Sequence, residues 1–224
     1  MTDQEPDSPT KAANGPHQGQ PVSTAGASLE QASAAMVLLH GRGARASDIL
    51  EIAGLLGLEG VAYLAPQAAG NTWYPYTFLA PIEHNEPSLS SALRVVADLV
   101  ALIEKAGVPS ERIILGGFSQ GACLASEFAA RNARRYGGLL VFSGGVIGPP
   151  GMERNYAGTM GGMPALIGCS DVDAHIPLER VQETEKVFQA LGADVSLHIY
   201  PNMGHTINQD EIDRAKIIVQ GVVD

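Results

Sequence analysis

The sequence has few cysteines and few cationic residues. Only two cysteines occur in 224 residues, Cys123 and Cys169. A chain of this length can bury a sizeable core without cross-links, so we expect two reduced, buried thiols rather than a disulfide. Fourteen Lys and Arg face 24 Asp and Glu, giving a net charge of −10. This balance argues against binding nucleic acid or an anionic membrane surface.

The sequence also lacks a long apolar run, and its first residues do not have the pattern of a leader. No stretch approaches the 18 or more apolar residues of a membrane-spanning helix. The first residues, MTDQEPD, contain neither a basic n-region nor an apolar h-region. We therefore expect a cytoplasmic protein with no stable membrane insertion. The sequence does not fix the oligomeric state, and a homodimer remains open.

What is present indicates one domain. Residues 1–18 are rich in Pro, Gly, Asn, Gln and Asp, which predicts a flexible N-terminal tail. Residues 19–224 then form a single domain, since 224 residues with 45% hydrophobic side chains fill one core. Residues 19–27 predict a weak edge strand, and the Pro-rich segment 66–87 predicts a long ordered loop.

Short apolar runs alternate with amphipathic segments in the rest of the domain. This alternation predicts an α/β fold with a mainly parallel sheet covered by helices on both faces. We expect Asp48 and Glu51 to cap one helix, and Asn208 and Glu211 to cap the last. The predicted strands are 36–39, 61–65, 112–115, 139–142, 165–168 and 195–200, and the predicted helices are 48–56, 88–106, 119–131, 178–191 and one that follows Asn208.

A lone serine lies between two glycines where a predicted strand meets a predicted helix. The segment Gly117-Phe118-Ser119-Gln120-Gly121 matches G-x-S-x-G, the turn that exposes a nucleophilic serine. Glycines suit this turn because a Cβ atom at either position would crowd it. The alternative is that Ser119 is only a helix N-cap. As a nucleophile it requires a base and a group that orients the base.

Candidates for both groups follow Ser119 in the order that this fold uses, which is serine, acid, then histidine. The acid lies in GCSDVDAHIP, where Asp171 and Asp173 are both candidates, and the base is His205 in YPNMGHTI. Each segment directly follows a predicted strand. The groups are therefore expected at the carboxyl edge of the sheet, where the sites of parallel sheets form.

Two backbone N–H groups are candidates for an oxyanion hole. One belongs to Gln120, the residue after the serine, and the other to Arg42 in the loop LLHGRGA after the first central strand. The Arg42 guanidinium either contacts solvent or lies near an anionic group of the substrate. Trp73 and Tyr74, in the aromatic part of the long loop, are candidate substrate-binding residues, with core packing as the alternative.

The remaining histidines give no indication of a metal site. His40 and His198 are interpreted as structural. His17, His84 and His175 show no zinc-type spacing with one another or with the cysteines. We predict neither a metal nor any other cofactor.

The motifs HGRG, GFSQG, SDVDAHIP and PNMGHTI, so spaced, resemble the phospholipase/carboxylesterase family of α/β-hydrolases, which includes small bacterial carboxylesterases and acyl-protein thioesterases. The resemblance covers about residues 19–224 and implies a compact fold with little or no cap. Its D-x-x-V-P motif fits Asp173, with Ile176 for valine, so Asp173 is favoured over Asp171. The family usually has His-Gly where this chain has Cys169-Ser170.

The resemblance implies a serine hydrolase that cleaves small-molecule carboxylic esters with short acyl chains, and in some members lysophospholipids or thioesters. Ser119, His205 and Asp173 would form the triad and pass through an acyl-enzyme. A same-fold lyase or cofactor-free haloperoxidase is the alternative within enzymes. A non-catalytic binding protein on this scaffold is the alternative outside them.

Overall fold

The computed structural model of the chain describes residues 15–224 and shows a seven-stranded sheet with the strand order β1-β3-β2-β4-β5-β6-β7. β1 pairs with β3 antiparallel, and every other neighbouring pair is parallel. The strands are Val22–Gly26 (β1), Ala34–Leu39 (β2), Val61–Pro66 (β3), Ile113–Phe118 (β4), Gly138–Phe142 (β5), Pro164–Ser170 (β6) and Asp194–Tyr200 (β7).

Helices cover both faces of the sheet, and a separate apolar cluster fills each side. One cluster packs α3, α4 and α5 against the sheet, and the other packs α1, α2 and α6. β2, β3 and β5 are buried along their whole length, which explains their uninterrupted apolar runs. The helices are Ala46–Ile49 (α1), Glu51–Leu56 (α2), Ser88–Lys105 (α3), Gln120–Arg131 (α4), Leu178–Ala190 (α5) and Gln209–Val223 (α6).

The predicted α/β class with a mainly parallel sheet and helices on both faces is confirmed, and no helical cap covers the carboxyl edge of the sheet within residues 15–224. β3 lies on one side of β2 in the sheet, and β4 to β7 follow one another on its other side. The strand order therefore reverses between β2 and β4, and a crevice opens at the carboxyl ends of the strands at such a point. The segments that follow β2, β4, β6 and β7 all lie at this edge.

The predicted helix 48–56 is in fact two short helices that meet at Leu50, and its predicted capping pair was wrong. Asp48 lies inside α1, where its carboxylate accepts a hydrogen bond from the Arg45 N–H at 2.8 Å. The pair that begins α6 is confirmed. The Asn208 side chain accepts from the Glu211 N–H at 3.0 Å, and the Glu211 carboxylate accepts from the Asn208 N–H at 2.9 Å.

The predicted flexible tail 1–18 requires a correction at its end. Residues 1–14 lie outside the described part of the chain, but residues 15–18 pack on the domain. His17 is 3% exposed. One ring nitrogen accepts from the Ala69 N–H at 3.0 Å, and the other donates to the Trp73 carbonyl at 2.8 Å. A polar, Gly- and Pro-rich composition concealed this single buried anchor.

Two further features concern membrane spans and the two cysteines. Over residues 15–224, no helix has both the length and the apolar character needed to cross a membrane. Cys123 and Cys169 are both free and buried. The thiols thus have the reduced, packed state expected from the sequence.

Candidate active site

Ser119 occupies the sharp corner between β4 and α4. Its backbone lies at φ 55° and ψ −120°, a region that side chains rarely adopt. The flanking glycines make the corner possible. A Cβ atom on Gly117 would lie 2.6 Å from the Gly121 carbonyl carbon, and one on Gly121 would lie 2.0 Å from the Leu39 oxygen. The corner presents the Ser119 hydroxyl at the carboxyl edge of the sheet.

His205, in the loop after β7, contacts both other members of the candidate triad. Its Nε2 lies 2.8 Å from the Ser119 Oγ, and its Nδ1 lies 2.7 Å from the Asp173 Oδ2. An ionised carboxylate only accepts hydrogen bonds, so Nδ1 carries the proton and donates to Asp173. Nε2 is then free to accept the hydroxyl proton of Ser119. This is the tautomer that a general base needs.

Asp173 is held in the loop after β6 by backbone donors. Its side chain is fully buried. Its Oδ1 accepts hydrogen bonds from the His175 N–H at 2.8 Å and the Ile176 N–H at 3.1 Å. Burial raises the pKa of Asp173, but the hydrogen bonds from His205 and from these two N–H groups outweigh it and hold the pKa below its usual range. The carboxylate is therefore ionised and fixed in place.

Asp171, the alternative acid, makes no hydrogen bond to His205 in the described part of the chain. It is exposed, and its Oδ1 accepts from the Asn202 N–H at 2.8 Å, which ties the loop after β6 to the loop after β7. The geometry brings Asp173 to His205 and leaves Asp171 in a structural contact.

The two candidate oxyanion donors lie beside the serine. Gly41 packs on Ser119 closely enough that a Cβ atom on Gly41 would lie 3.4 Å from the serine Cβ. Arg42 follows Gly41, and Gln120 follows Ser119. Within residues 15–224 neither the Arg42 N–H nor the Gln120 N–H donates to another protein group. Both donors are thus available to a ligand.

His40 fixes the loop that carries Arg42. Its Nε2 accepts from the Ala68 N–H at 3.1 Å, so its Nδ1 carries the proton and donates to the Gly41 carbonyl at 2.8 Å. Burial lowers the pKa of His40, which favours this neutral form. His40 is buried behind the loop, in the structural place that its sequence context indicated.

Of the two aromatic residues predicted to bind substrate, one lines the cavity and the other does not. Trp73 is fully buried and does not line the cavity. Its indole N–H donates to the His40 carbonyl at 2.9 Å. The prediction for Trp73 therefore needs correction: it supports the loop from behind. Tyr74 does line the cavity. The Gln120 side chain joins both residues to α4, accepting from the Trp73 N–H and donating to the Tyr74 carbonyl, each at 2.9 Å.

An open cavity of about 490 Å³ lies above Ser119. Its wall combines the loop after β2, the aromatic loop, the corner at Ser119 and the loop of Asp173. Apolar and aromatic groups dominate, as is usual for a small-molecule site. The lining residues are Gly41, Arg42, Ala44, Tyr74, Pro75, Tyr76, Thr77, Phe78, Phe118, Ser119, Gln120, Cys123, His175, Ile176 and His205.

The Arg42 guanidinium binds backbone carbonyls of the aromatic loop. It donates to the carbonyls of Tyr74 at 2.9 Å, Pro75 at 3.0 Å and Tyr76 at 2.7 Å. Neither alternative from the sequence anticipated these contacts. The side chain holds three consecutive residues of the cavity wall, while the residue as a whole stays exposed.

Sequence reasoning missed two rings that pack on the candidate base. The His175 ring lies edge-on to the His205 ring at 4.7 Å between centroids, and the Phe118 ring lies 4.8 Å from it on another side. Both residues belong to the quoted motifs, two positions after Asp173 and one before Ser119. Their place in those motifs was the available signal.

The phospholipase/carboxylesterase family model matches residues 24–221. The fold is similar to a phospholipase/carboxylesterase from Dyadobacter fermentans, at 42% identity, a TM-score of 0.86, and coverage of 92% of this chain and 97% of that one. It is also similar to esterase PE8, at 27% identity, a TM-score of 0.75, and coverage of 91% and 99%.

Curated relatives match over a shorter stretch. Mouse lysophospholipase-like protein 1 is 30% identical over 137 residues, which are 60% of this chain and 56% of that protein. Acyl-protein thioesterase 1 of Gibberella zeae is 27% identical over 120 residues, which are 51% and 49% of the two chains. The matched part of this chain thus spans about half the length of these relatives.

Proposed function

Because the chain belongs to the phospholipase/carboxylesterase family of α/β-hydrolases, whose model covers residues 24–221, we propose that it hydrolyses carboxylic esters through a covalent acyl-enzyme. The hydrogen-bonded series from Ser119 through His205 to Asp173 is the observation that carries this proposal. Its heavy-atom distances of 2.8 and 2.7 Å lie within the range needed for proton transfer and for orienting the base.

Acylation begins when the Ser119 Oγ attacks the ester carbonyl carbon while His205 Nε2 takes the hydroxyl proton. The carbonyl oxygen becomes an oxyanion, and the N–H groups of Arg42 and Gln120 donate to it. Each such donor contributes about 3 kcal/mol to the stability of the transition state. Asp173 offsets the charge that develops on the imidazolium. The C–O bond to the alcohol then breaks, and His205 gives its proton to the leaving oxygen.

Deacylation repeats the sequence with water as the nucleophile. His205 takes a proton from the water, the hydroxide oxygen adds to the acyl carbonyl, and the bond to Ser119 Oγ breaks as the proton returns to it. The products are a carboxylic acid and the original serine. The residues of the chain supply every proton acceptor and donor, and no cofactor enters any step.

The cavity supports small esters as the substrate class. It is open and about 490 Å³ in volume, which suits a short acyl chain better than a long buried one. The similarity to a lysophospholipase-like protein and to acyl-protein thioesterases extends the proposal to lysophospholipids and thioesters with accessible acyl groups. Because both thiols are free and buried, we propose the cytoplasm as the location.

Turnover of 4-nitrophenyl esters tests the proposed function. Wild-type protein should release 4-nitrophenolate from the acetate ester, and the rate should fall as the acyl chain is lengthened to decanoate. Ser119→Ala should retain the circular dichroism spectrum and lose several orders of magnitude in kcat. A folded Ser119→Ala protein with more than a tenth of the wild-type kcat would exclude the mechanism.

A further inference from the structure

The cavity wall carries a fixed positive charge that the hydrolytic steps do not use. Among the lining residues within the described part of the chain, none is Asp or Glu. Arg42 lines the cavity and has no carboxylate within ion-pair distance among residues 15–224. Its partners are three neutral carbonyls, which orient the guanidinium without neutralising it.

The guanidinium also has hydrogen-bonding capacity left. An arginine side chain has five N–H donors. The two on Nη2 bind the carbonyls of Tyr74 and Tyr76, and one on Nη1 binds that of Pro75. The Nε–H and the second N–H of Nη1 have no partner within residues 15–224. Arg42 is exposed and belongs to the cavity wall, so a ligand in the cavity can approach its guanidinium.

An arginine without a carboxylate partner in the cavity wall is unusual for a protein with a net charge of −10. The overall negative charge disfavours anions near the surface, yet residues 15–224 contribute no negative side chain to the walls of this cavity. His175 adds another polar ring to the same wall, next to His205. A neutral ester has no charge to pair with this guanidinium, whereas a carboxylate would gain hydrogen bonds in which both partners are charged.

From this arrangement we infer that the Arg42 side chain selects esters that carry a second, ionised carboxylate, such as monoesters of short dicarboxylic acids. The inference rests on the proposed esterase function and adds the substrate class. The three carbonyl bonds preorganise the guanidinium, so little side-chain entropy is lost when the anion binds. Arg42 then has two separate roles, with its backbone N–H at the oxyanion and its side chain at the distal charge.

Matched substrate pairs test the inference on both sides of the scissile bond. On the acyl side, 4-nitrophenyl hydrogen glutarate is compared with 4-nitrophenyl pentanoate. On the alcohol side, 4-acetoxybenzoate is compared with its methyl ester. The measured quantity is the ratio of kcat/KM for the anionic ester to that for its neutral partner. The wild-type ratio should exceed unity by about tenfold for one pair, and that pair identifies the side that faces Arg42.

Arg42→Met should reduce this ratio about tenfold. The side chain also holds the aromatic loop, and any loss from a loosened loop affects both esters and cancels in the ratio. Arg42→Lys keeps the charge and should retain part of the preference. Arg45→Met removes the same charge from an exposed arginine three residues away that does not line the cavity, and its ratio should equal that of the wild type. Added NaCl should lower the ratio in the wild type and not in Arg42→Met.

The outcomes separate the inference from the proposed function. Wild-type turnover of the neutral esters with a ratio at or below unity for both pairs would overturn the inference and leave the esterase proposal standing. An equal fall of the ratio in Arg42→Met and Arg45→Met would overturn it too, because the effect would then come from net charge. If none of the four esters is hydrolysed, the proposed function itself is contradicted.

Discussion

The Ser119 hydroxyl and the His205 ring, 86 residues apart in sequence, lie 2.8 Å apart between Oγ and Nε2. Two strand ends produce this contact, since β4 ends in the corner at Ser119 and β7 leads into the loop of His205. β5 and β6 separate these strands in the sheet, so both loops must fold over the carboxyl edge to meet. The contact therefore depends on the geometry of both loops, and substitutions of the residues around it should affect activity or stability.

The two aspartates of the loop after β6 should differ sharply in their effect on activity. Asp173→Asn should lower kcat by roughly 10³ to 10⁴ with little change in KM, because His205 would lose the acceptor that fixes its tautomer. Asp171→Asn should lower kcat less than about tenfold, since within residues 15–224 that carboxylate accepts a hydrogen bond only from the Asn202 N–H. Steady-state kinetics on a 4-nitrophenyl ester measure both. A more severe loss in Asp171→Asn would reverse the assignment.

The strained corner at Ser119 should be detectable as stability. A non-glycine residue in such a backbone region costs about 1–3 kcal/mol, and at φ 55° and ψ −120° glycine is free of most of that strain. Ser119→Gly should therefore be more stable than Ser119→Ala by about 1 kcal/mol, although both lack the nucleophile. Urea denaturation of the two variants gives the difference. A Ser119→Gly protein less stable than Ser119→Ala would show that the corner is not strained.

Two glycines next to the candidate catalytic residues should tolerate alanine very differently. A Cβ on Gly121 would overlap the Leu39 carbonyl, whereas one on Gly204, beside His205, would have no atom of residues 15–224 within 4 Å. Gly121→Ala should displace α4 from β2 and destabilise the protein by about 3 kcal/mol or more. Gly204→Ala should stay within about 0.5 kcal/mol of the wild type. Thermal unfolding compares them, and equal melting temperatures would contradict this packing.

Glu211 should make the stability depend on pH. Its Oε1 is buried without a partner among the described residues and lies close against Gly168. Burial raises the pKa of Glu211 to about 7, so the folded state holds a proton that the unfolded state releases above about pH 4.5. The free energy of unfolding therefore falls as the pH rises from about 4.5 to 7, by up to roughly 3 kcal/mol.

Glu211→Gln should remove this dependence, because the amide does not ionise. The stability of the variant relative to the wild type should rise between pH 5 and pH 8, as measured by urea denaturation at each pH. Asp213→Asn, at an exposed position of the same helix, serves as the control and should give a constant difference. A constant difference for Glu211→Gln as well would mean that Glu211 is ionised throughout this range.

The sheet was predictable because its signals are local. Continuous apolar runs mark the buried strands, and the corner at Ser119 requires glycines at fixed offsets. The order of serine, acid and histidine along the chain, each directly after a predicted strand, then indicated His205. The side-chain contacts between distant loops were not predictable. The bonds from Arg42 to the carbonyls of residues 74–76 and the burial of Trp73 depend on how the aromatic loop folds back. The path of this loop has no periodic pattern in the sequence from which it could be predicted.

His17 illustrates the same limit at the beginning of the domain. Composition alone predicted a flexible segment through residue 18, yet one ring joins two backbone groups of the aromatic loop. A single buried side chain leaves no periodic pattern. The choice of Asp173 over Asp171 rested on the spacing of the D-x-x-V-P motif, whose proline is Pro177 at the start of α5.

The proposed mechanism requires that Ser119 is the nucleophile and that His205 activates it, and covalent labelling with a fluorophosphonate measures this directly. Intact-mass analysis of the wild type should show one adduct per chain, and peptide mapping should place it on Ser119. His205→Ala should label at least about a hundredfold more slowly, because the serine loses its general base. An adduct on any other residue, or a Ser119→Ala protein that labels as fast as the wild type, would contradict the account.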